Sequence, residues 1–199
     1  MDRHQWDDRY ASTELVWTAE ANRFVVEELA GLAAGRALDL GAGEGRNAIW
    51  LAERGWQVTA VDFSAVGLAK AAKLADGRGV TGVRWVQADL REYRPEQAAY
   101  DLALLAYVHL PPDEFTALLA TAASALAPGG TLLVIGHDVD NISRGHGGPQ
   151  DPLVLHRVDS VVAALPGLTI HRADQARRAV LTGEGERVAI DTVVRAQRP

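Results

Sequence analysis

A chain of 199 residues has the length of one domain rather than two, and its 48% hydrophobic and 23% charged content excludes a disordered polymer. Twenty Lys and Arg against 26 Asp and Glu leave a net charge of −6, which argues against a general grip on nucleic-acid phosphates. The absence of cysteine excludes disulfides, thiolate metal centres and any cysteine nucleophile.

The opening residues, MDRHQWDDRYASTELVW, lack the apolar core of a signal peptide, and every apolar run is broken by Asp, Arg, Gly or Pro. The cytoplasm is therefore the expected compartment. A helix is expected over 19–29, with Phe24, Val25, Leu29 and the adjoining Leu32 as its apolar face. From Arg36 onward, short runs of Val, Leu and Ile alternate with Ala-rich segments of helical period, the pattern of a parallel sheet built from βα units.

The first strand is expected over 37–40, closed by Gly41-Ala42-Gly43-Glu44-Gly45, and a helix over 47–54 with Gly55 as its stop. A second strand over 58–61 ends in Asp62-Phe63, and Ser64 is placed to cap a helix over 65–74. A third strand covers 83–86 and leads to Asp89. A fourth covers 100–106, after which Pro111-Pro112 open a helix running to Leu126. Pro128-Gly129-Gly130 reads as a turn before a fifth strand over 131–135. A helix near 159–165 precedes two last strands, around 168–172 and 188–196, the first extendable to Leu181. Their turn, Thr182-Gly183-Glu184-Gly185-Glu186, makes an antiparallel hairpin at the sheet edge. Residues 136–155 form a loop long enough to suggest a lid or binding loop.

Ligands of an open parallel sheet bind beyond the carboxyl ends of its strands. Gly41 and Gly43 allow close backbone approach there, and Asp62 follows Gly41 by 21 positions, the spacing of an acid that takes ribose hydroxyls. An adenosine-containing ligand fits. A dinucleotide fits less well, because Arg46 stands where its fingerprint wants a third glycine. Glu44 in the turn, with Asp39, Asp62 and Asp89 nearby, disfavours a pyrophosphate and suits a cationic ligand. This sets aside a nucleotide-dependent oxidoreductase.

Four motifs in order carry a family resemblance over nearly the whole chain. Leu38-Asp39-Leu40-Gly41-Ala42-Gly43-Glu44-Gly45, Val61-Asp62-Phe63-Ser64, Gln87-Ala88-Asp89-Leu90 and Leu126-Ala127-Pro128-Gly129-Gly130-Thr131 resemble the motifs of class I S-adenosylmethionine (SAM)-dependent methyltransferases. Within that class, Gly43-Glu44-Gly45-Arg46-Asn47 and the stretch from Leu51 to Val58 look like the tellurite-resistance branch. Trp6-Asp7-Asp8-Arg9-Tyr10 with Trp17 is similar to the start of thiopurine-type enzymes. The 136–155 loop departs from both.

The resemblance implies an α/β, Rossmann-like three-layer sandwich, with a mostly parallel seven-stranded sheet and an antiparallel C-terminal edge hairpin. It divides a single domain into an N-terminal cover (1–35), a cofactor-binding core (36–136), a substrate loop (137–157) and a C-terminal helix and hairpin (158–199). SAM is the implied cofactor and S-adenosylhomocysteine (SAH) its product. Gly41, Ala42 and Gly43 would pass beside the methionine part, and Asp39 would support the loop or the ammonium. Arg46 and Asn47 would reach the carboxylate. Asp62 would take the ribose, Phe63, Asp89 and Leu90 the adenine, and Ala106 and Tyr107 the methyl donor's edge. Trp17, with Trp6 and Tyr10, would close over the site or pack on the sheet edge.

The implied acceptor is a small molecule with an S, Se, Te, O or N nucleophile, with no nucleic acid or membrane as partner, and the chain acts as a monomer or homodimer. His109 and His137 are the candidates for a base or acceptor contact, with Asp138 beside His137 to hold one tautomer. His146 is a weaker candidate, and His156 and His171 read as structural or solvated. No metal site is expected, since His137, Asp138 and His146 match no ligand spacing. Trp50 and Trp85 read as core, and Arg172, Arg177 and Arg178 as a solvated strand face. The alternative function is a non-catalytic SAM-binding sensor.

Overall fold

The computed structural model describes residues 2–183 and 185–199. One sheet organises the described chain, from β1 (Arg36–Leu40), β2 (Gln57–Asp62), β3 (Val83–Gln87), β4 (Tyr100–Ala106), β5 (Leu126–His137), β6 (Thr169–Thr182) and β7 (Gly185–Gln197). Their order is β3-β2-β1-β4-β5-β7-β6. The first five run parallel, and β7 pairs antiparallel with both β5 and β6. The sandwich with an antiparallel edge hairpin is thus the observed architecture.

Side-chain alternation along each strand divides the core in two. Leu38 and Leu40 of β1, Ala103 and Leu105 of β4 and Leu132 and Val134 of β5 pack on one face, beneath helices α5 (Pro112–Ala125) and α7 (Val158–Ala163). Ala37, Leu102, Leu104, Leu133 and Ile135 pack on the other, beneath α2 (Arg23–Leu29) and α3 (Arg46–Ala52). Trp50 is buried and Trp85 packs against the second cluster, as core residues. Helix α4 (Ala65–Gly77) is capped by Ser64, whose hydroxyl accepts from the Gly67 amide.

Four local expectations change. The N-terminal segment holds a helix, α1 (Arg3–Ala11), that its polar sequence does not announce; a reciprocal capping box between Asp2 and Gln5 starts it. The helix expected from 19 begins at Arg23, because the Asn22 side chain accepts from the Phe24 amide and so sets the N-cap. Residues 128–130 are absorbed into β5, which pairs Leu126 with Tyr100 and then shifts register before Thr131 meets Leu102. The 136–155 loop contains a short helix, α6 (Asn141–Arg144), and a 3-10 turn at Pro152–Val154, and it is tied to the sheet by an Asp138–His156 bridge.

Two features place the site. Strand order reverses between β1 and β4, so the loops leaving them diverge and open a crevice at the C-terminal edge. The β6–β7 hairpin also outruns β5: its pairing continues from Ala176–Asp191 to Thr182–Gly185, beyond the last β5 pair at His137 and Asp191. At about 3.3 Å per residue it overhangs that edge by roughly 20 Å. Within its expected turn, Glu184 lies outside the described residues.

Candidate functional site

The glycine loop is fixed by its own backbone. The amides of Gly41 and Ala42 both donate to the Val61 carbonyl at 2.8 and 3.0 Å, which bends the chain sharply after β1. Gly41 adopts φ +83°, and a Cβ there would lie 2.6 Å from Val108 Cγ2. Gly43 adopts φ +55°, and a Cβ there would lie 2.7 Å from the Tyr10 hydroxyl. Only glycine satisfies both the conformation and the space at these positions.

Asp62 holds this loop closed. Its Oδ2 accepts from the Gly43 amide at 2.8 Å and its Oδ1 from the Ser64 amide at 2.9 Å. Burial nonetheless raises the carboxyl above its ordinary range, against the pull of those amides. Each oxygen keeps a lone pair for a further donor.

Asp39 and Arg46 differ from every other charged group around the loop. Asp39 is 1% exposed and neither carboxylate oxygen has a hydrogen-bond partner among the described residues. Burial and the neighbouring Asp62 charge push it up to about 7, against Arg46 and the Ala48 amide. The Arg46 guanidinium makes no hydrogen bond or ion pair among the described residues, lies 5.9 Å from the Trp17 ring and is drawn below its usual pKa by burial. Asn47 beside it ties down the N-terminal segment, its Oδ1 accepting from the Asn22 amide at 2.9 Å.

Glu44 is aimed elsewhere than its sequence position suggests. Its buried carboxylate accepts from the Val16 and Trp17 amides at 3.0–3.1 Å and from Lys70 Nζ at 3.1 Å. It therefore latches the N-terminal segment. Behind the latch, Trp6 lies 5.3 Å from Tyr10 and 6.5 Å from Trp17, and Arg9 stacks on both tryptophans. Tyr10 is buried, while Trp17 remains 39% exposed.

At the ends of β2 and β3 a cavity of about 470 Å³ is lined by Asp2, Arg3, Phe63, Gln87, Ala88, Asp89 and Arg91. Arg91 clamps the Asp89 carboxylate with contacts of 2.6–3.1 Å and holds it below the usual carboxylate range. Leu90 lines a second cavity of about 260 Å³, next to Leu118 and Thr121 of α5.

Beyond Ala106, which packs on the second core cluster, Tyr107 takes φ +60°, a conformation that costs a non-glycine residue about 1–2 kcal/mol. That backbone turns its hydroxyl into a buried polar cluster. It donates to Asp191 Oδ2 at 2.9 Å and accepts from Asn22 Nδ2 and Arg178 Nε at 3.1 Å. His137 Nδ1 lies 3.2 Å from Asp191 Oδ1. Burial raises the Asp191 carboxyl, but His137 and Arg178 outweigh it and hold the group below its ordinary range.

The carboxylate beside His137 is thus Asp191, from the opposite strand, and not Asp138. Asp138 is occupied by the Thr192 hydroxyl at 2.6 Å, Gln175 Nε2 at 2.8 Å and the Asp140 amide at 2.9 Å. Arg178, expected on a solvated face, is part of the cluster. His146 is exposed.

His109 and His156 brace the loop. His109 stacks between His137 at 5.5 Å and His156 at 5.3 Å, and His156 stacks on Phe115 at 4.3 Å. His109 Nδ1 lies 2.9 Å from the Val154 carbonyl, and its Nε2 is buried without a partner. Burial pulls His109 down to about 4 and His156 to about 3, so both rings are neutral near pH 7.

Sequence reasoning missed Tyr10's seat on Gly43, the Glu44 latch and Asp191. The last had a signal, an acid in the middle of the apolar run from Val188 to Val194.

The strand order, its antiparallel edge and the glycine loop define a Rossmann-like methyltransferase fold. Residues 37–130 match the family model described as a methyltransferase domain, and SAM is the cofactor that this match supports. Among curated proteins it is 31% identical over 133 residues to the tRNA 5-carboxymethoxyuridine methyltransferase of Escherichia coli K12, covering 66% of this chain and 49% of that protein. The chain thus spans about half the length of that relative.

Among solved structures, one described under conversion of a disulfide bond into a thioacetal group during echinomycin biosynthesis superposes with TM-score 0.79 at 20% identity, over 98% of this chain and 91% of the other. The N-methyltransferase NodS from Bradyrhizobium japonicum WM9, in complex with SAH, superposes with TM-score 0.75 at 17% identity over the full length of both. No helix among the described residues is long and apolar enough to cross a membrane.

Proposed function

We propose that the chain is a SAM-dependent methyltransferase acting on a small molecule, with residues 1–35 as cover, 36–136 holding the cofactor, 137–157 shaping the acceptor side and 158–199 completing it. One observation carries the cofactor half of this reading. Asp39 and Arg46 are groups of opposite sign, both largely withdrawn from water and within electrostatic reach of one another; Asp39 has only the Ala48 amide acting on it, with no hydrogen bond of good geometry among the described residues, and no hydrogen bond is made there by the Arg46 guanidinium. Buried charges of this kind are stable only with a partner, and an amino-acid end, ammonium to Asp39 and carboxylate to Arg46, supplies both. Asp62 takes the ribose hydroxyls on its spare lone pairs, and Phe63, Asp89 and Leu90 border the adenine. The Asp89 carboxylate stays ionised beside Arg91.

When bound, SAM supplies an electrophilic methyl on a sulfonium. The protein's part is alignment and exclusion of water. Tyr107 and Ala106 flank the reacting edge, and Trp6, Tyr10 and Trp17 close it from above. His137 receives a proton from an O–H or N–H acceptor at Nε2, with the Asp191 carboxylate 3.2 Å from its Nδ1 to stabilise the imidazolium. His109 serves as a brace for this ring, since its Nδ1 faces the Val154 carbonyl. A soft thiolate, selenide or telluride, to which the N-terminal aromatics' likeness to thiopurine-type enzymes leans, needs no base.

The net charge of −6 and the crowding of the acceptor side by the 137–157 loop support a small acceptor over the RNA named for the curated relative. The test is SAH release with a panel of thiols, selenite, tellurite, phenols, amines and carboxylic acids, run beside total tRNA and rRNA. Turnover with a panel member is the expected result. Transfer to RNA alone overturns the acceptor class, and SAM binding without any transfer favours the sensor.

A further inference from the structure

The hairpin overhang brings an arginine to the acceptor side in a form that sequence does not suggest. Arg178 belongs to β6 and faces the same side as Asp191, two pairs along the ladder. Its Nε is committed, donating to Asp191 Oδ2 at 2.8 Å and to the Tyr107 hydroxyl at 3.1 Å. The guanidinium carbon lies 5.5 Å from the Tyr107 ring centroid. Nη1 and Nη2 make no hydrogen bond among the described residues, and the side chain keeps 22% of its surface. A guanidinium locked at Nε with both outer nitrogens free presents a planar fork, which matches the two oxygens of a carboxylate.

We infer that the acceptor carries a carboxylate, anchored on the Nη1–Nη2 fork of Arg178 beside His137, so that the β6–β7 hairpin is the acceptor-recognition element. This rests on the methyl-transfer reading above. It also separates the two arginines: Arg46 serves the cofactor and Arg178 the acceptor. Arg178 is then a binding residue, and its buried partners Asp191 and Tyr107 are the parts that hold the fork in place.

The test titrates SAH-loaded protein with propionate, benzoate, their neutral amides and inorganic phosphate, alongside SAM titration of the free protein. At least one carboxylate should bind tenfold or more tightly than its amide and than phosphate. Arg178→Lys keeps the charge and a donor for Asp191 but loses the fork. It should abolish that preference while leaving SAM affinity within about twofold, and thermal unfolding should confirm that the variant folds. A wild type indifferent to carboxylate or amide, or an Arg178→Lys variant with selectivity intact, overturns the assignment. So does an equal loss of SAM affinity in that variant, which would place Arg178 on the cofactor. A protein that binds no SAM at all instead overturns the methyl-transfer reading beneath.

Discussion

Asp39→Asn should make the free protein more stable and at the same time weaken SAM binding about 10- to 100-fold. The two effects share one cause. A carboxyl raised to about 7 in the fold, but titrating near 3.8 when unfolded, binds its proton more tightly in the native state. Below pH 4 both states are protonated and burial of the group costs little. Between about 4 and 7 the unfolded chain releases the proton while the folded one retains it, so stability falls as pH rises. Above 7 the full cost remains, on the order of 4 kcal/mol at about 1.4 kcal/mol per unit. Asparagine removes that slope, and differential scanning calorimetry at pH 8 should show a melting temperature higher by several degrees. The loss of affinity reflects a missing charge-assisted hydrogen bond, about 1.5–3 kcal/mol. A variant that binds SAM as the wild type does would show that Asp39 only supports the loop.

Asp62→Ala should abolish measurable SAM binding and also destabilise the free protein by about 2–4 kcal/mol. The alanine leaves the Gly43 and Ser64 amides without their acceptor, at about 1–3 kcal/mol for each buried donor not rescued by water. Because Gly43 is one of those donors, the glycine loop loosens where the ligand must lie flat against it. Asp62→Asn retains a carbonyl acceptor and should fall between the two. Calorimetric titration together with chemical denaturation checks both halves. Wild-type affinity in Asp62→Ala would remove this residue from the cofactor site.

Much of the cofactor side could be read from sequence because it is local. Leu38 to Gly45 carries its strand period, its turn glycines and its acid within eight positions, and the bend they imply is the one observed. Asp62 could be read for the same reason, as the last residue of an apolar strand. Glu44 shows the limit of such reading. Its sign is visible in sequence and its aim is not, since the amides it accepts from, on Val16 and Trp17, arrive from 28 and 27 positions away.

The proposed acceptor side is built almost entirely from such distant pairs. Tyr107 and Asp191 are 84 positions apart, and the antiparallel register of β5 on β7 decides that Asp191, and not the adjacent Asp138, faces His137. Helix α1 has no apolar stripe, so no helical period marks it in the sequence. It is held by its capping box and by Tyr10 seated against the glycine loop and α4, with Trp6 beside Tyr10. Pro128-Gly129-Gly130 reads in sequence as a turn standing apart from β5, whereas backbone pairing of Leu126 with Tyr100 draws it into the sheet.

In the proposed site Asp39 and Arg46 receive an amino-acid end. Isothermal titration of SAM into the wild type and Asp39→Asn, at pH 6 and 7.5 and in buffers of different ionisation enthalpy, decides whether they do. If Asp39 must ionise to hold the ammonium, wild-type affinity should fall about tenfold from pH 7.5 to 6, with a proton released on binding at the lower pH. The variant should bind weakly at both. Wild-type affinity unchanged across that range with no proton released, or a variant that reproduces the wild-type pH dependence, would contradict it.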